Sequence, residues 1–252
     1  MRDSAYLRRD YRALMGSRFS SFTASYKETE LWIGVDPPSF SASMEDFAAS
    51  RARAYRLELE AYIARRPGFL SSLVPIAPDP GAPRLAAAMI EASAAAGVGP
   101  MAAVAGATSA FIGRDLEADF GCHEILVENG GDLWLKFEST LDVAVFAGES
   151  PLSGRVGVTI PAQLSPLGLC TSSGTVGPSL SLGRADAAMV ACSEGDAALA
   201  DAWATAVGNE VAGAEDIEKA LGLAEGRSGL VSVLVIKGSL MGIRGALSLK
   251  LF

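Results

Sequence analysis

The chain has 252 residues, and 50% of them are hydrophobic, which is enough for one large core or two closely packed subdomains. The share of charged residues, 20%, is typical of a globular protein rather than a disordered one. A net charge of −8 argues against binding to nucleic acid or to an acidic membrane surface, because these partners select basic faces. An anionic small ligand remains compatible with this charge, since a helix N-terminus or a metal ion acts locally.

The cysteine and histidine content limits the chemistry further. Cys122, Cys170 and Cys192 are odd in number and far apart, so we predict reduced, buried thiols and no structural zinc site. The single histidine, His123, excludes sites with several imidazoles, and we expect it to be structural. No secretory signal is visible, and no apolar run reaches the roughly 20 residues that a membrane helix needs. We therefore predict a cytoplasmic protein.

Hydrophobic periodicity and turn signals predict both helices and strands along the chain. Most predicted strands follow one another through short turns, so we expect an α+β fold of mainly antiparallel sheet with helices on one face. We expect a single domain covering residues 1–252, or two intimately packed subdomains. The predicted helices are 44–66, 83–96, 100–112, 193–209 and 214–221. The predicted strands are 31–35, 143–146, 155–160, 187–191, 230–236 and 246–252, with a hairpin near residues 125–137.

Several helix ends carry recognisable signals. Ser43 and Ser193 each precede an aspartate by three residues, which is the spacing of a capping box. Gly97 is expected to end one helix and Pro100 to begin the next. The glycines here match a GxGxxA pattern, but a helix precedes them, whereas a dinucleotide-binding fingerprint follows a strand. Two interpretations remain, a tight helix–turn–helix or a helix start whose N–H groups face a phosphate.

The segment Asn129-Gly130-Gly131-Asp132 separates two runs of alternating hydrophobicity. The simplest interpretation is a hairpin turn, because Asn-Gly is a strong hairpin signal. The alternative is a functional turn that presents Asp132 and bare glycine backbone to a ligand.

The region 168–211 contains the strongest candidate for a metal site. A small-residue loop, Cys170 to Thr175, leads through an apolar segment to an alanine-rich helix with Asp201 and Thr205. These two residues are four apart, so a helix places them on one face. A carboxylate and a hydroxyl suit Mg²⁺, which completes its shell with water and phosphate. The spacing alone is also typical of a solvated aspartate with no ligand role.

Taken together, these motifs resemble the ApbE-like superfamily, whose best-known members are FAD:protein FMN transferases. Within it, the sequence is most similar to a branch of cytoplasmic ApbE-like proteins with no assigned reaction. The resemblance covers nearly the whole chain and supports the α+β fold. The segments that carry it are 26–31, 98–107, 127–132, 170–177 and 200–206.

The resemblance implies a role for each motif. In the flavin transferases a GGD turn lies at the flavin nucleotide site, a TSG loop lines it, and a DAxxT helix holds Mg²⁺ beside the pyrophosphate. It thus implies that Asp201 and Thr205 bind Mg²⁺ and that FAD or another flavin nucleotide is the ligand. The residues implied to bind this cofactor are Gly130, Gly131, Asp132, Thr171, Ser172, Ser173 and Gly174.

Two departures from the transferase pattern leave the reaction open. An AKG segment is replaced by Val104-Ala105-Gly106, which has no lysine, and an HxxDPxTG segment is replaced by residues 177–183, which have no histidine and no Asp-Pro pair. The alternatives are an FMN transferase-like enzyme, a nucleotide or flavin binder without transfer chemistry, and a structural or partner-binding relative. No catalytic residue is assigned. A homodimer is compatible with a compact chain of this kind.

Overall fold

The computed structural model describes residues 18–174, 183–223 and 225–252. This part of the chain forms eleven strands and six α-helices. The strands are β1 (Ser20–Tyr26), β2 (Thr29–Val35), β3 (Ile125–Asn129), β4 (Asp132–Lys136), β5 (Leu141–Ala144), β6 (Val156–Ile160), β7 (Leu167–Ser172), β8 (Ala187–Cys192), β9 (Leu230–Lys237), β10 (Leu240–Gly245) and β11 (Ser248–Leu251). The helices are α1 (Ser43–Arg65), α2 (Gly68–Ser71), α3 (Arg84–Ala96), α4 (Val104–Phe120), α5 (Ala197–Asn209) and α6 (Ile217–Leu223).

Every strand pair is antiparallel, which confirms the predicted α+β class. The larger sheet has eight strands in the order β1-β2-β3-β4-β7-β8-β9-β10. The smaller sheet has three strands in the order β11-β6-β5. The pairs β1–β2, β3–β4 and β9–β10 are tight hairpins, whereas helices α1–α4 separate β2 from β3 and helices α5 and α6 separate β8 from β9. The strands of the smaller sheet lie between β4 and β7 and after β10.

The larger sheet is covered on both faces. Helices pack on one face, where they share a hydrophobic cluster with side chains such as Trp134 and Val190. The smaller sheet packs on the other face, where Leu133 and Leu135 meet Val156 and Val158. Adjacent residues of β4 thus point into different cores, as the alternation of a strand requires. Because both faces are covered, strands such as β8 are buried at every residue.

The helix ends differ in part from the sequence prediction. Gly97 ends α3 with a left-handed φ of 75°, as predicted. Ser43 lies inside α1, and the preceding Ala42 makes no side-chain cap, so the predicted capping box is wrong. Asp196 also departs from prediction, because it is itself the N-cap of α5 and accepts from Leu199 N at 3.0 Å.

The helix after Pro100 is longer than predicted. A short 3₁₀ turn at Pro100–Ala103 leads into α4, which continues past Ile112 to Phe120. It ends at Gly121, whose φ of 64° places it in the left-handed region that glycine adopts at helix ends. The residues after Ile112 alternate between polar and apolar types, which hid the continuing helix from the sequence prediction.

Three strands were not predicted. β1 forms a hairpin with β2 but carries mostly small polar residues, with a pattern typical of a sheet edge. β7 occupies residues 167–172, part of which the sequence analysis assigned to a loop. β10 contains two glycines and was missed because glycine weakens the strand signal.

A glycine allows α4 to approach the sheet closely. A Cβ added at Gly113 would lie 2.2 Å from Cε3 of Trp134, a fully buried side chain on β4. We therefore expect Gly113→Ala to lower the free energy of unfolding by about 1–3 kcal/mol through overpacking. Urea denaturation measures this change.

Gly68→Ala is the matched control for this prediction. No heavy atom lies within 4 Å of the added Cβ, and alanine is the better helix former. Equal unfolding free energies for the two variants would contradict the tight α4–sheet contact.

Candidate functional site

The Asn-Gly motif forms a hairpin turn between β3 and β4. Asn129 pairs with Asp132 across the two-residue loop, in which Gly130 and Gly131 have φ values of 69° and 106°. Both angles lie in the region that glycine adopts without strain. The Asn129 side chain donates from Nδ2 to Ala105 O at 3.3 Å, which ties the turn to the start of α4. Asp132 is thereby placed on the helix-covered face of the sheet.

Asp132 is buried against the neighbouring strand β7. Its Oδ1 accepts a hydrogen bond from Thr171 N at 3.2 Å, and the Cys170 thiol also contacts the carboxylate. The pKa of Asp132 is raised to about 7, mainly by burial and to a smaller extent by the negative charge of Glu128, whereas the Thr171 and Cys170 contacts oppose the shift. The site thus resists a second uncompensated negative charge.

Asp201 reaches the same place from α5. Its Oδ2 accepts from Gly106 N at 2.9 Å, in the first turn of α4, and its side chain is 9% exposed. Burial raises the pKa of Asp201 well above its ordinary value, and the charge of Asp132 adds to this shift. The two carboxylates are therefore electrostatic neighbours. The sequence alternative of a solvated, surface-like Asp201 is wrong.

Missing side chains make this approach between elements possible. A Cβ at Gly106 would lie 2.1 Å from Ala197 O and 2.8 Å from the Cβ of Asp201. A Cβ at Gly168 on β7 would lie 2.5 Å from Ala197 N. Helix α5 is therefore held against α4 on one side and against β7 on the other by backbone contact.

One hydroxyl group on α5 and one on β7 lie near the interface between these two elements. Thr205 lies one turn after Asp201 and is 7% exposed. Ser172, at the end of β7, has a buried Oγ that makes no hydrogen bond to any residue that the structure describes, and Gly208 of α5 lies above it. A buried hydroxyl without a partner is unusual, because each hydrogen bond that such a group fails to make costs about 1–3 kcal/mol.

The rest of the predicted TSG loop lies at the edge of the described residues. Thr171 and Ser173 are half-buried, and Gly174 is exposed and donates its N–H to Ala185 O at 3.0 Å. Gly174 also packs on Gly183, where an added Cβ would lie 2.0 Å from the Gly183 carbonyl oxygen. Thr175 and almost all of the segment that replaces HxxDPxTG fall in 175–182, outside the described residues.

The structure thus gathers residues from three distant sequence motifs. Asp201 on α5 contacts the first turn of α4 and is an electrostatic neighbour of Asp132, and Thr205 follows one turn later on α5. On β7 the Thr171 N–H binds Asp132, and Ser172 lies under Gly208, nearer the C-terminal end of α5. Gly130 and Gly131 form the turn itself, while Ser173 and Gly174 extend from β7.

The donor set fits a hard cation that keeps part of its own shell. Among residues 18–174, 183–223 and 225–252, no group of three or more His, Cys, Asp or Glu side chains could hold a metal by itself. Within the same ranges, no Lys or Arg forms an ion pair with Asp132 or Asp201. Two buried carboxylates and nearby hydroxyls match Mg²⁺, which uses one or two carboxylates plus water and phosphate.

The comparisons with known proteins give the family. A family model described as AbpE bacteria matches residues 12–235. The chain belongs to this family of the ApbE-like superfamily. A UPF0280 protein of Methanosphaerula palustris is 46% identical over 191 residues, covering 76% of this chain and 74% of its own length. A UPF0280 protein of Methanococcus aeolicus is 40% identical over 225 residues, covering 88% of both chains.

Solved structures of ApbE-like proteins share the fold. The apo form of flavinyl transferase ApbE from Pseudomonas stutzeri superposes with a TM-score of 0.58 at 16% identity, covering 90% of this chain and 94% of that one. A mutant form of flavin transferase ApbE from Vibrio cholerae gives a TM-score of 0.55 at 11% identity, with 90% and 97% covered. Identities this low show a common ApbE-like fold and nothing about the reaction.

Three other sequence expectations concern the histidine, the cysteines and membrane-spanning helices. His123 is exposed and lies 3.4 Å from Glu138, so it does not contribute to the cluster. All three cysteines are buried and free, as predicted. No single helix in the described ranges is long and apolar enough to cross a membrane, although one pair bent by 105°, Arg84–Ala96 with Pro100–Phe120, passes on length and composition.

Sequence reasoning missed two residues of the site. Gly106 was noted only as part of a segment without lysine, yet its N–H binds Asp201. Cys170 was predicted only as a buried thiol in a small-residue loop, yet its Sγ lies 3.3 Å from Ala197 O and the thiol also contacts Asp132. The signal for Gly106 was a glycine inside a segment of good helix-forming residues, which is typical of close packing.

The raised pKa of Asp132 predicts a pH-dependent stability without divalent cations. An aspartate in the unfolded chain has a pKa of about 3.9. Between about pH 4 and pH 7 the unfolded state therefore loses this proton while native Asp132 still holds it. The free energy of unfolding therefore falls as the pH rises through this window, by roughly 1.4 kcal/mol for each unit of the shift. In Asp132→Asn this fall is smaller, which thermal unfolding in EDTA between pH 5 and 8 measures.

Asp142→Asn is the control for the pH series. Asp142 is exposed, and its bonds to Thr159 and Lys250 lower its pKa, so it is already ionised at pH 5. Its replacement should leave the slope between pH 5 and 8 unchanged. Parallel curves for the wild type and Asp132→Asn would show that the buried carboxylate is compensated in the native protein.

Proposed function

We propose that this protein binds a flavin nucleotide, with FAD favoured, through Mg²⁺ held at Asp201 and Thr205. The observation that carries the proposal is the convergence of Asp132 and Asp201 in one buried cluster. Two adjacent carboxylates in a low-dielectric site repel each other, and a divalent cation removes this repulsion. Mg²⁺ supplies positive charge that neutralises a pyrophosphate beside it.

The hydroxyl groups support a polar ligand beside the cation. The unpartnered Oγ of Ser172 requires an acceptor or donor to satisfy it, and a phosphate or ribose oxygen provides one. Thr171 and Ser173 are half-buried at the same strand end. Gly174 lies beside them as exposed backbone, which allows close approach of a ligand.

Around this polar centre the start of α4 is apolar. Met101, Ala102, Val104 and Ala105 are each partly exposed. Such a surface suits a flat aromatic ring, because ligand sites combine apolar walls with a few polar groups. A flavin or an adenine ring fits this description.

The enzymatic alternative is FMN transfer from FAD to a protein hydroxyl. Such a reaction needs a group that positions the nucleophile and leaving group together with the metal. The start of α4 offers Val104, Ala105 and Gly106, none of which titrates. This absence favours binding without transfer, so transferase-like activity is the second candidate.

A relative that keeps only the fold is the third alternative, and the buried acids argue against it. Carboxylates whose pKa values are raised by burial destabilise the native state at neutral pH. In a purely structural protein an apolar pair of similar size would be at least as stable. The acids are therefore better explained by a ligand that needs them.

The first test is a Mg²⁺-dependent thermal shift with FAD. We expect wild-type protein to be stabilised by FAD with MgCl₂, by about 2.7 kcal/mol at a ligand concentration of 100 times Kd. Asp201→Ala should lose the Mg²⁺-dependent part, and Thr205→Val should weaken it. Glu210→Gln is the matched control, since Glu210 caps the same helix at its far end.

An unchanged Mg²⁺-dependent shift in Asp201→Ala would remove this residue as a ligand. The apo stability of this variant is reported alongside, because its Gly106 N–H loses an acceptor while the repulsion between the acids disappears. A yellow protein, or adenine nucleotide released on denaturation, is an independent sign of the same ligand.

The second test separates binding from transfer. Incubation with FAD and MgCl₂ is followed by an assay for AMP, which only cleavage of the pyrophosphate releases. We expect FAD to be recovered intact. Stoichiometric or catalytic AMP from the wild type, lost in Asp201→Ala, would establish the transferase-like alternative instead.

A further inference from the structure

A third buried carboxylate lies beneath the glycine turn. Glu128 is 2% exposed, and its Oε1 accepts a hydrogen bond from Gly131 N at 2.9 Å. In the sheet Glu128 pairs with Trp32 on β2 and with Leu133 on β4. The side chains of these two residues belong to the core between the larger and the smaller sheet. Glu128 therefore acts on the turn from the face of the sheet opposite to Asp132.

The turn is thus held from both faces. On the helix side Asn129 Nδ2 donates to Ala105 O at 3.3 Å, and on the other side Gly131 N donates to Glu128. Gly131 has a φ of 106°, which leaves several backbone arrangements open to a free chain. Hydrogen bonds on both faces select one of them. The turn conformation therefore fixes the orientation of Asp132, the next residue.

The hydrogen bond also uses a donor that a ligand would otherwise take. Consecutive backbone N–H groups in a glycine turn form an anion-binding concavity. Here the Gly131 N–H already points at a buried carboxylate, and Asp132 places a second carboxylate on the other face. A phosphate approaching this turn finds the Gly131 N–H already engaged by Glu128.

We propose that Glu128 is a positioning residue that fixes the Gly130-Gly131 turn, so that the turn receives a neutral, hydrogen-bond-donating part of the ligand and excludes its phosphates. This inference rests on the proposed function for the identity of the ligand. Ribose hydroxyls and ring N–H groups are the parts of a nucleotide with this chemistry. The phosphates then lie on the α5 side, next to Asp201 and Thr205, where the cation is proposed.

Hydrogen exchange at the Gly131 amide tests the positioning without any ligand. The amide should be protected in the wild type and in Glu128→Gln, whose side-chain oxygen still accepts. In Glu128→Ala its protection should fall by about tenfold or more relative to the wild type. Glu138→Ala is the matched control, because Glu138 is exposed at the other end of β4.

The outcome of this experiment is decisive even if Glu128→Ala does not fold. A Gly131 amide that exchanges in the wild type at the rate of an unprotected turn overturns the positioning. So does a folded Glu128→Ala variant whose Gly131 protection matches the wild type.

Ligand binding tests the consequence. With MgCl₂ present, Glu128→Gln should bind FAD with a Kd close to that of the wild type, and Glu128→Ala should bind about tenfold more weakly. Equal weakening in both variants would assign the effect to charge instead of geometry and overturn the proposal. Inorganic pyrophosphate should leave the wild-type Gly131 amide resonance in place, and a saturable shift would place phosphate at the turn.

Failure of the two proposals can be told apart. A wild type that does not bind FAD with or without Mg²⁺ removes the proposed ligand. The exchange measurement on Gly131 still decides whether Glu128 positions the turn, because it uses the apo protein, and the pyrophosphate titration still decides whether phosphate is excluded.

Discussion

The hydrogen bond from Gly106 N to Asp201 Oδ2 joins the two helices on which the site depends. It forms only because Gly106 has no side chain, since a Cβ there would overlap Ala197 O. The N-terminal start of α5, at Asp196 and Ala197, also lies against Gly168 of β7. A single helix start is therefore fixed by backbone contact with both a helix and a strand, and the direction of Asp201 follows from it.

This packing explains why the acids are buried and not merely close. Alanines flank Asp201 on both sides along α5, and none of its neighbours in the helix carries a positive charge that could neutralise the carboxylate. Burial then raises the pKa values of Asp132 and Asp201 together, and each charge raises the cost of the other. A structure that gathers charge in this way is stabilised by whatever cation it binds, which couples ligand binding to folding.

The sequence predicted the local geometry of the candidate site residues better than the elements that carry them. Asp201 and Thr205 share a helix face because of their spacing, and Asn129 to Asp132 form a turn because of local glycine chemistry, so both follow from short-range rules. β7 was taken in part for a loop, because small residues such as Cys170, Thr171 and Ser172 give no strand signal; tertiary packing under α5 decides their conformation. The smaller sheet could not be inferred, since pairing between β11 and β6 joins residues about 90 apart with no local cue.

Glu128 shows why the last part of the site lay beyond sequence reasoning. In the sequence it alternates with Leu126 and so belongs to the face away from the helices, which is otherwise apolar at these positions. Only the fold shows that its side chain turns to the hairpin end and accepts the Gly131 N–H. Asp132 and Asp201 also accept backbone N–H groups, from Thr171 and Gly106, and burial raises the pKa values of both. If Mg²⁺ binds as proposed, Glu128 holds the turn from one face of the sheet while Asp132 and Asp201 meet the cation on the other.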